Sequence, residues 1–329
     1  MLRLLRSGVL LALVLLSVGA SFGAEIDKYL PNDTNAVVSL NTGQVIDSPL
    51  LQKTYLPLLV KELAAKPDLL KLFKDFNFDP FRDLDRVQIA LADSCERGGS
   101  DKNEPGFCLI ARGKFNLPKV HAHLAALMPH LNKALTAHKS GTNFVYELNL
   151  DGKTFFFALP ERTTLVLAPR REHINLVLER AAGKKPVSLV YKDVQELITK
   201  TDGKQVLWLV ATGRTTLSFE PTFVAGKPMT RKTLADSEVY EVSGGVTLAD
   251  GAKGSFAVKL KSEPAAKAVS EALQVELAKS NENGFNGALE DRRLAPIREF
   301  LRDMVIAGDG KHIVIQSEVP GRVFTNAVK

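Results

Sequence analysis

The chain has 329 residues, 45% hydrophobic and 24% charged, the balance of a folded globular protein long enough for two ordinary domains. Its 43 basic and 37 acidic residues leave a formal charge of only +6. That excess is spread along the chain and forms no basic stripe of the kind a nucleic-acid partner needs.

The first stretch, MLRLLRSGVLLALVLLSVGASFGA, places Arg3 and Arg6 before an apolar run from Gly8 to Leu16 and then turns to small residues. That order predicts a secretory signal peptide over residues 1–24, with Val18-Gly19-Ala20 and Ser21-Phe22-Gly23 as candidate cleavage edges. The apolar run is short for a bilayer span, and no cysteine follows it closely, as a lipoprotein anchor would require. The expected mature chain is therefore exported to the periplasm, cell envelope or exterior.

NAVVSLN (35–41) reads as a strand, and residues 48–76 place leucines at helical spacing, with Pro57 and Pro67 dividing them into short helices. FDPFRDLDR gathers Asp79, Asp83 and Asp85 beside Arg82 and Arg86, read as a self-paired charged turn entering a strand at Val87. A glycosidase carboxylate pair would need a separation that sequence alone does not supply. The only cysteines, Cys95 and Cys108, bound a charged, Gly-rich segment between two strand-like runs. In an oxidising compartment they are expected to close a hairpin as a cross-strand disulfide, worth on the order of 3 kcal/mol in the chain-entropy model.

Four of the six histidines fall within HAHLAALMPHLNKALTAH, residues 121–138. Asn116 is a candidate N-cap, Pro118 suits a first turn, and Val120, Leu124, Leu127, Leu131 and Leu135 form one stripe, which predicts a helix through this stretch. No two histidines stand three or four residues apart, the spacing at which rings on a helix share a metal. His121, His123, His130 and His138 are accordingly read as solvated flank or end residues, and no metal or other cofactor is expected.

Residues 143–168 predict three consecutive antiparallel strands with turns at Asp151-Gly152 and Pro160 to Arg162, followed by a helix that stops at Gly183. The second half repeats the order. KQVLWLVATGR (204–214) matches the first strand, with Trp208 in an apolar core run. EVYEVSGGVTLADG (238–251) stands where DRVQIALADS stood. GSFAVKLKSEPAAKAVSEALQVELAKS follows the strand, turn, proline and helix of GFCLIARGKFNLPKVHAHLAALMPHL. DMVIAGDGKHIVIQSEVP parallels VYELNLDGKTFFFALP through a shared Asp-Gly-Lys. DRRLAPIREFLRDM is expected as an amphipathic helix with Leu294, Ile297, Leu301 and Met304 inward. The segment 215–237 has no clean period, and its Phe219, Phe223 and Met229 are candidates for a contact loop.

The fold class expected is α+β, mostly antiparallel sheets with helices packed on one face, arranged as a divergent two-fold repeat. The units are placed at 25–190 and 191–329. Catalytic templates are missing from the sequence: the only GxSxG match, Gly19 to Gly23, lies in the leader, and there is no HExxH, SxxK or phosphate-cradling glycine loop.

The order of YLPNDTNAVVSLNTGQVIDSPL, FNFDPFRDLDRVQIAL and ARGKFNLPKVHAHL resembles a family of exported proteins of planctomycete-type bacteria. In those an LP-x-D-T opening, an FDP-x-x-DLDRV segment and a GKF strand-to-helix turn recur. The resemblance implies an exported α+β protein and carries no catalytic residues across. Three functions are weighed: a non-catalytic binding or structural protein of the envelope, partnered by an envelope protein or an apolar ligand; a carrier or sensor of apolar ligands or membrane surface; and an exported hydrolase whose carboxylates meet only in three dimensions.

Overall fold

The computed structural model describes residues 23–92, 106–131, 134–150, 152–186, 189–214, 239–282 and 292–327. Residues 1–22 of the expected leader, Cys95 and the segment holding Phe219, Phe223 and Met229 lie outside them.

Strand β1 (Thr34–Leu40) buries Val37 and Ser39 on one side and leaves Val38 and Leu40 on the other. Four short helices follow, α1 (Thr42–Asp47), α2 (Pro49–Lys53), α3 (Tyr55–Ala64) and α4 (Pro67–Phe76). Pro67 starts α4 as expected, whereas Pro57 divides nothing. It sits in the first turn of α3, where a missing N–H costs no intrahelical bond. The β2 (Leu84–Ala92) and β3 (Phe107–Gly113) hairpin comes next, then α5 (Leu117–Leu127), whose N-cap Asn116 accepts the Lys119 amide at 3.3 Å.

The helix does not continue to His138. Pro129 lies in a single 3-10 turn, Met128–His130, and residues 135–140 form strand β4 (Leu135–Ser140). Leu135 keeps a helical phase with Leu131 in sequence, but the proline has already ended the helix. Strands β5 (Asn143–Leu150), β6 (Lys153–Glu161) and β7 (Thr164–Ala168) are the three expected. Helix α6 (Arg171–Ala181) ends at Gly183, whose φ of 71° lets Lys184 N–H reach the Glu179 carbonyl at 2.9 Å.

The second half holds α7 (Lys192–Lys200), β8 (Leu207–Thr212), β9 (Val239–Leu248), β10 (Gly251–Leu260), α8 (Glu263–Glu282), α9 (Ala295–Arg302), β11 (Val305–Asp309), β12 (His312–Pro320) and α10 (Gly321–Ala327). In α9 it is Phe300 that turns inward, against Gly254 and the Ala252–Phe324 cluster, while Ile297 stays 50% exposed.

The twelve strands among the described residues join one sheet in the order β11-β12-β10-β9-β8-β1-β2-β3-β7-β6-β5-β4, and every pairing is antiparallel. The class is α+β. The two sequence halves meet where β1 pairs β8 in the middle, with β2 and β9, then β3 and β10, flanking them in mirrored order. Beyond that point β12 pairs β10 as β7 pairs β3, so β11–β12 is the counterpart of β6–β7. The shared Asp-Gly-Lys therefore joins turns of two non-equivalent hairpins.

Register extends one row of facing residues across the whole sheet: Ala137, Tyr146, Phe157, Leu167, Leu109, Ile89, Val38, Leu209, Gly244, Phe256, Ile315 and Ile306. Helix α5 covers this face at one end, and α8, α9 and α10 cover it at the other. The opposite face carries α6 and α7, which bury the central strands over Val37, Ala90, Ile110, Val166, Trp208 and Val210. Cys108 belongs to this buried face and stands opposite Ala90. The ladder thus offers Ala90, not Cys95, as the cross-strand neighbour of Cys108.

Candidate functional site

Arg112 points into the covered face from a strand that is otherwise apolar, FCLIARG. A guanidinium placed there needs partners, and the segment before β1 supplies them. Asp27, whose side chain has no exposure, receives Arg112 as a two-pronged fork, Nε to Oδ2 and Nη2 to Oδ1, each at 2.8 Å. It also accepts the Tyr29 amide at 2.9 Å. The Arg112 Nη1 group donates to Glu161 at 3.1 Å and to Thr164 on the neighbouring strand. Lys28 adds a second ion pair to Glu161 at 3.2 Å, and the Tyr29 hydroxyl donates to the same carboxylate at 3.3 Å. Arg112 also stands 5.2 Å from the centre of the Tyr29 ring.

These contacts set the protonation states. Burial alone would lower the Arg112 guanidinium, but its hydrogen bonds and charge pairing with Asp27 and then Glu161 hold it above its ordinary value. Burial would likewise raise Glu161, yet Lys28, Thr164 and Arg112 hold it below the usual carboxylate range. Burial and the Glu161 charge raise the Tyr29 phenol. The cluster borders an open cleft of about 590 Å³, lined among others by Glu25, Lys28, Asn41, Asp85 and Arg86. Arg86 reaches Asp27 only at 4.0 Å, and its Nε has no hydrogen-bond partner among the described residues.

As chemistry, this is a latch. An acid catalyst needs a carboxyl held protonated near neutrality, and Glu161 is shifted the other way. Asp27 and Glu161 are joined through one arginine instead of facing a shared substrate space. The three aspartates singled out from sequence do different work. Asp83 accepts the Asp79 amide at 2.7 Å and Asp79 accepts the Phe81 amide at 2.9 Å, so both shape the turn, while Asp85 lines the cleft. Arg86 leaves that turn to face Asp27.

The histidines are more engaged than solvated flanks would be. His121 Nδ1 lies 2.6 Å from the Tyr146 hydroxyl within a stack that includes Phe144 and Phe157. Burial pushes Tyr146 up to about 12 and lowers His121, so the phenol keeps its proton and donates to a neutral imidazole. His123 sits edge-on to Phe76 and 3.8 Å from Asp75, and His138 pairs with Glu147 at 2.9 Å on the neighbouring strand. Only His130 matches the expected exposed position. Among the described residues no three His, Cys, Asp or Glu side chains are grouped so as to hold a metal.

The second feature is apolar. At the centre of the twelve-residue row, between the two helix-covered ends, Val38 and Ile89 remain 39% and 40% exposed, with Leu40 beside them. Sequence reading missed both this surface and the latch. The one available signal for the latch was Arg112 itself, a lone charge within a buried strand.

No family model matches the chain, and no characterised protein matches it in sequence. Among solved structures it is similar in fold to TP0453 of Treponema. One crystal form (form III) is 9% identical, covers 92% of this chain and 98% of that one, and gives a TM-score of 0.48. Another (form I), also 9% identical, covers 93% and 98% with a TM-score of 0.47.

Proposed function

We propose that the chain is an exported, non-catalytic binding or structural protein of the periplasm or cell envelope. One observation carries the reading: Asp27, Arg112, Glu161 and Lys28 satisfy one another beside the cleft, while an apolar surface at the sheet centre is left open. The open row of Val38, Leu40 and Ile89 favours a second form of the same reading, a carrier or sensor of apolar ligands or of membrane surface. An envelope protein or an apolar molecule is the partner this surface fits.

Export, removal of residues 1–24 and the family resemblance belong to this proposal. So does a Cys95–Cys108 disulfide, which requires the chain beyond Ala92 to turn back toward the buried Cys108. The test is fractionation of the producing cell, with the N-terminus read by mass and peptides mapped without reduction. Recovery of a shortened chain outside the cytoplasm, with the two cysteine peptides linked, is expected. A full-length chain confined to the cytoplasm would overturn the reading. Native mass spectrometry of that material should show either a bound apolar molecule or a co-purified envelope protein.

A further inference from the structure

We propose that α3 and α4 lay the protein on a bilayer surface containing anionic phospholipid. The inference rests on the reading of the chain as an envelope protein and names the partner of a second exposed apolar surface, the one on these helices.

Helix α3, YLPLLVKELA, is mostly apolar, yet none of its residues is buried. Leu59 and Val60 are 53% and 49% exposed, and Leu70 on α4 is exposed as well. A helix of this composition normally hides its apolar arc against its own protein. Here that arc finds too little to cover it.

The segment is nevertheless held firmly at both ends. Leu50, Leu51 and Tyr55 pack into the cluster of Phe300 and Phe324, and the Tyr55 hydroxyl donates to the Arg293 carbonyl at 2.7 Å. At the other end Phe76 joins the α5 cluster, and Phe78 stacks on Phe115 at 5.4 Å. Helices α3 and α4 therefore form a strap between the two helix-covered ends of the sheet, anchored where it meets each, with Leu59, Val60 and Leu70 exposed between the anchors.

Charge identifies what the strap meets. Lys53, Lys61, Lys66, Lys71 and Lys74 are all exposed, and none of them has an ion pair among the described residues. They outnumber Glu62, Asp68 and Asp75, and Asp75 is turned toward His123. Exposed leucines and valine beside unpaired lysines are the pattern of a helix lying in the interface of an anionic membrane, its apolar side chains at the acyl boundary and its lysines among the headgroups. At 10 residues each, α3 and α4 are far too short to span. No helix among the described residues is long and apolar enough to cross a membrane.

The experiment is vesicle pelleting of the processed protein with phosphatidylcholine vesicles, with and without phosphatidylglycerol. Every variant carries the same N-terminus, so any leader that remains contributes equally. The expected result is binding that needs phosphatidylglycerol and weakens as salt rises. The double substitution Leu59→Glu with Val60→Glu, and separately the triple substitution of Lys61, Lys71 and Lys74 by Glu, should each weaken it about tenfold or more. Thermal unfolding and Trp208 emission establish that each variant is folded. Leu59→Trp, which leaves the surface apolar, should shift its emission to the blue when phosphatidylglycerol vesicles are added. Failure of the native protein to bind, or undiminished binding by folded Leu59→Glu/Val60→Glu, overturns the proposal. If the chain is found outside the cytoplasm and yet binds no vesicle, the membrane inference falls while the envelope reading stands. A cytoplasmic, unprocessed chain removes the envelope reading whatever the vesicles show.

Discussion

Arg112 is the residue on which the covered face turns. Its guanidinium is tolerable in a buried strand because Asp27 and Glu161 satisfy it, so removing the cation should cost more than the pair contributes. Arg112→Met is expected to destabilise by about 3–5 kcal/mol, since it strands Asp27 without exposure to water. Adding Asp27→Leu to that variant should recover a large part of the loss, and urea unfolding of the single and double variants measures both. His173 carries a different prediction. Burial first, and the charge of Arg180 second, push it down to about 4, and its Nε2 has no hydrogen-bond partner among the described residues. The unfolded chain takes up this proton near 6.5, so the contribution is complete above that pH, declines as pH falls towards 4, and changes no further below it. Between pH 7 and 5 the loss should be about 2 kcal/mol. His173→Leu should show a correspondingly smaller fall in its urea midpoint, and equal falls in both proteins would refute the assignment.

At the scale of elements, the segments FDPFRDLDRV and GKF form a joint. Gly113 ends β3 against the Asp83 carbonyl, where an added Cβ would lie 2.1 Å from the oxygen. Lys114 N–H bonds the same carbonyl at 2.7 Å, and Phe115 stacks on Phe78. The FDP-x-x-DLDRV and GKF segments thus clamp the start of β2 to the start of α5. Gly113→Ala must displace backbone, and a loss of about 1–3 kcal/mol in thermal or urea unfolding is expected. Much at this level was legible because the signals are local. Asn116 and Pro118 start α5, Gly183 stops α6, and Trp208 marks a core strand. Where two local signals compete, the weaker one misleads. Leu131 and Leu135 hold a helical phase through Pro129, and Ile297 holds an inward phase that Phe300, the larger ring, takes instead. The latch was illegible for a different reason: Asp27, Arg112 and Glu161 stand 85 and 49 residues apart, and no spacing rule reaches that far.

For the whole molecule, the two-fold repeat was readable in the order of its pieces, but how the halves join was not. Nothing local says that β1 will pair β8, because each strand offers a short apolar run to any neighbour. With that pairing made, the apolar row runs without interruption through all twelve strands. The two halves should therefore unfold together. Trp208 emission, which reports the centre, and far-UV circular dichroism, which reports the whole, are expected to trace one coincident urea transition. Separate midpoints would show that the halves are independently stable.

The position of β1 also sets a schedule. It precedes every other described strand in the chain, yet it lies between β2 and β8, and its ladder is incomplete until residues 207–212 exist. The amide of Asn41 likewise waits for the Val206 carbonyl, and Asp27 waits for Arg112. A chain emerging from its N-terminus therefore cannot finish its centre early. On the proposed route of export, a centre that closes this late leaves the chain unfinished for most of its synthesis, the condition in which a polypeptide can still be threaded through a narrow translocation pore.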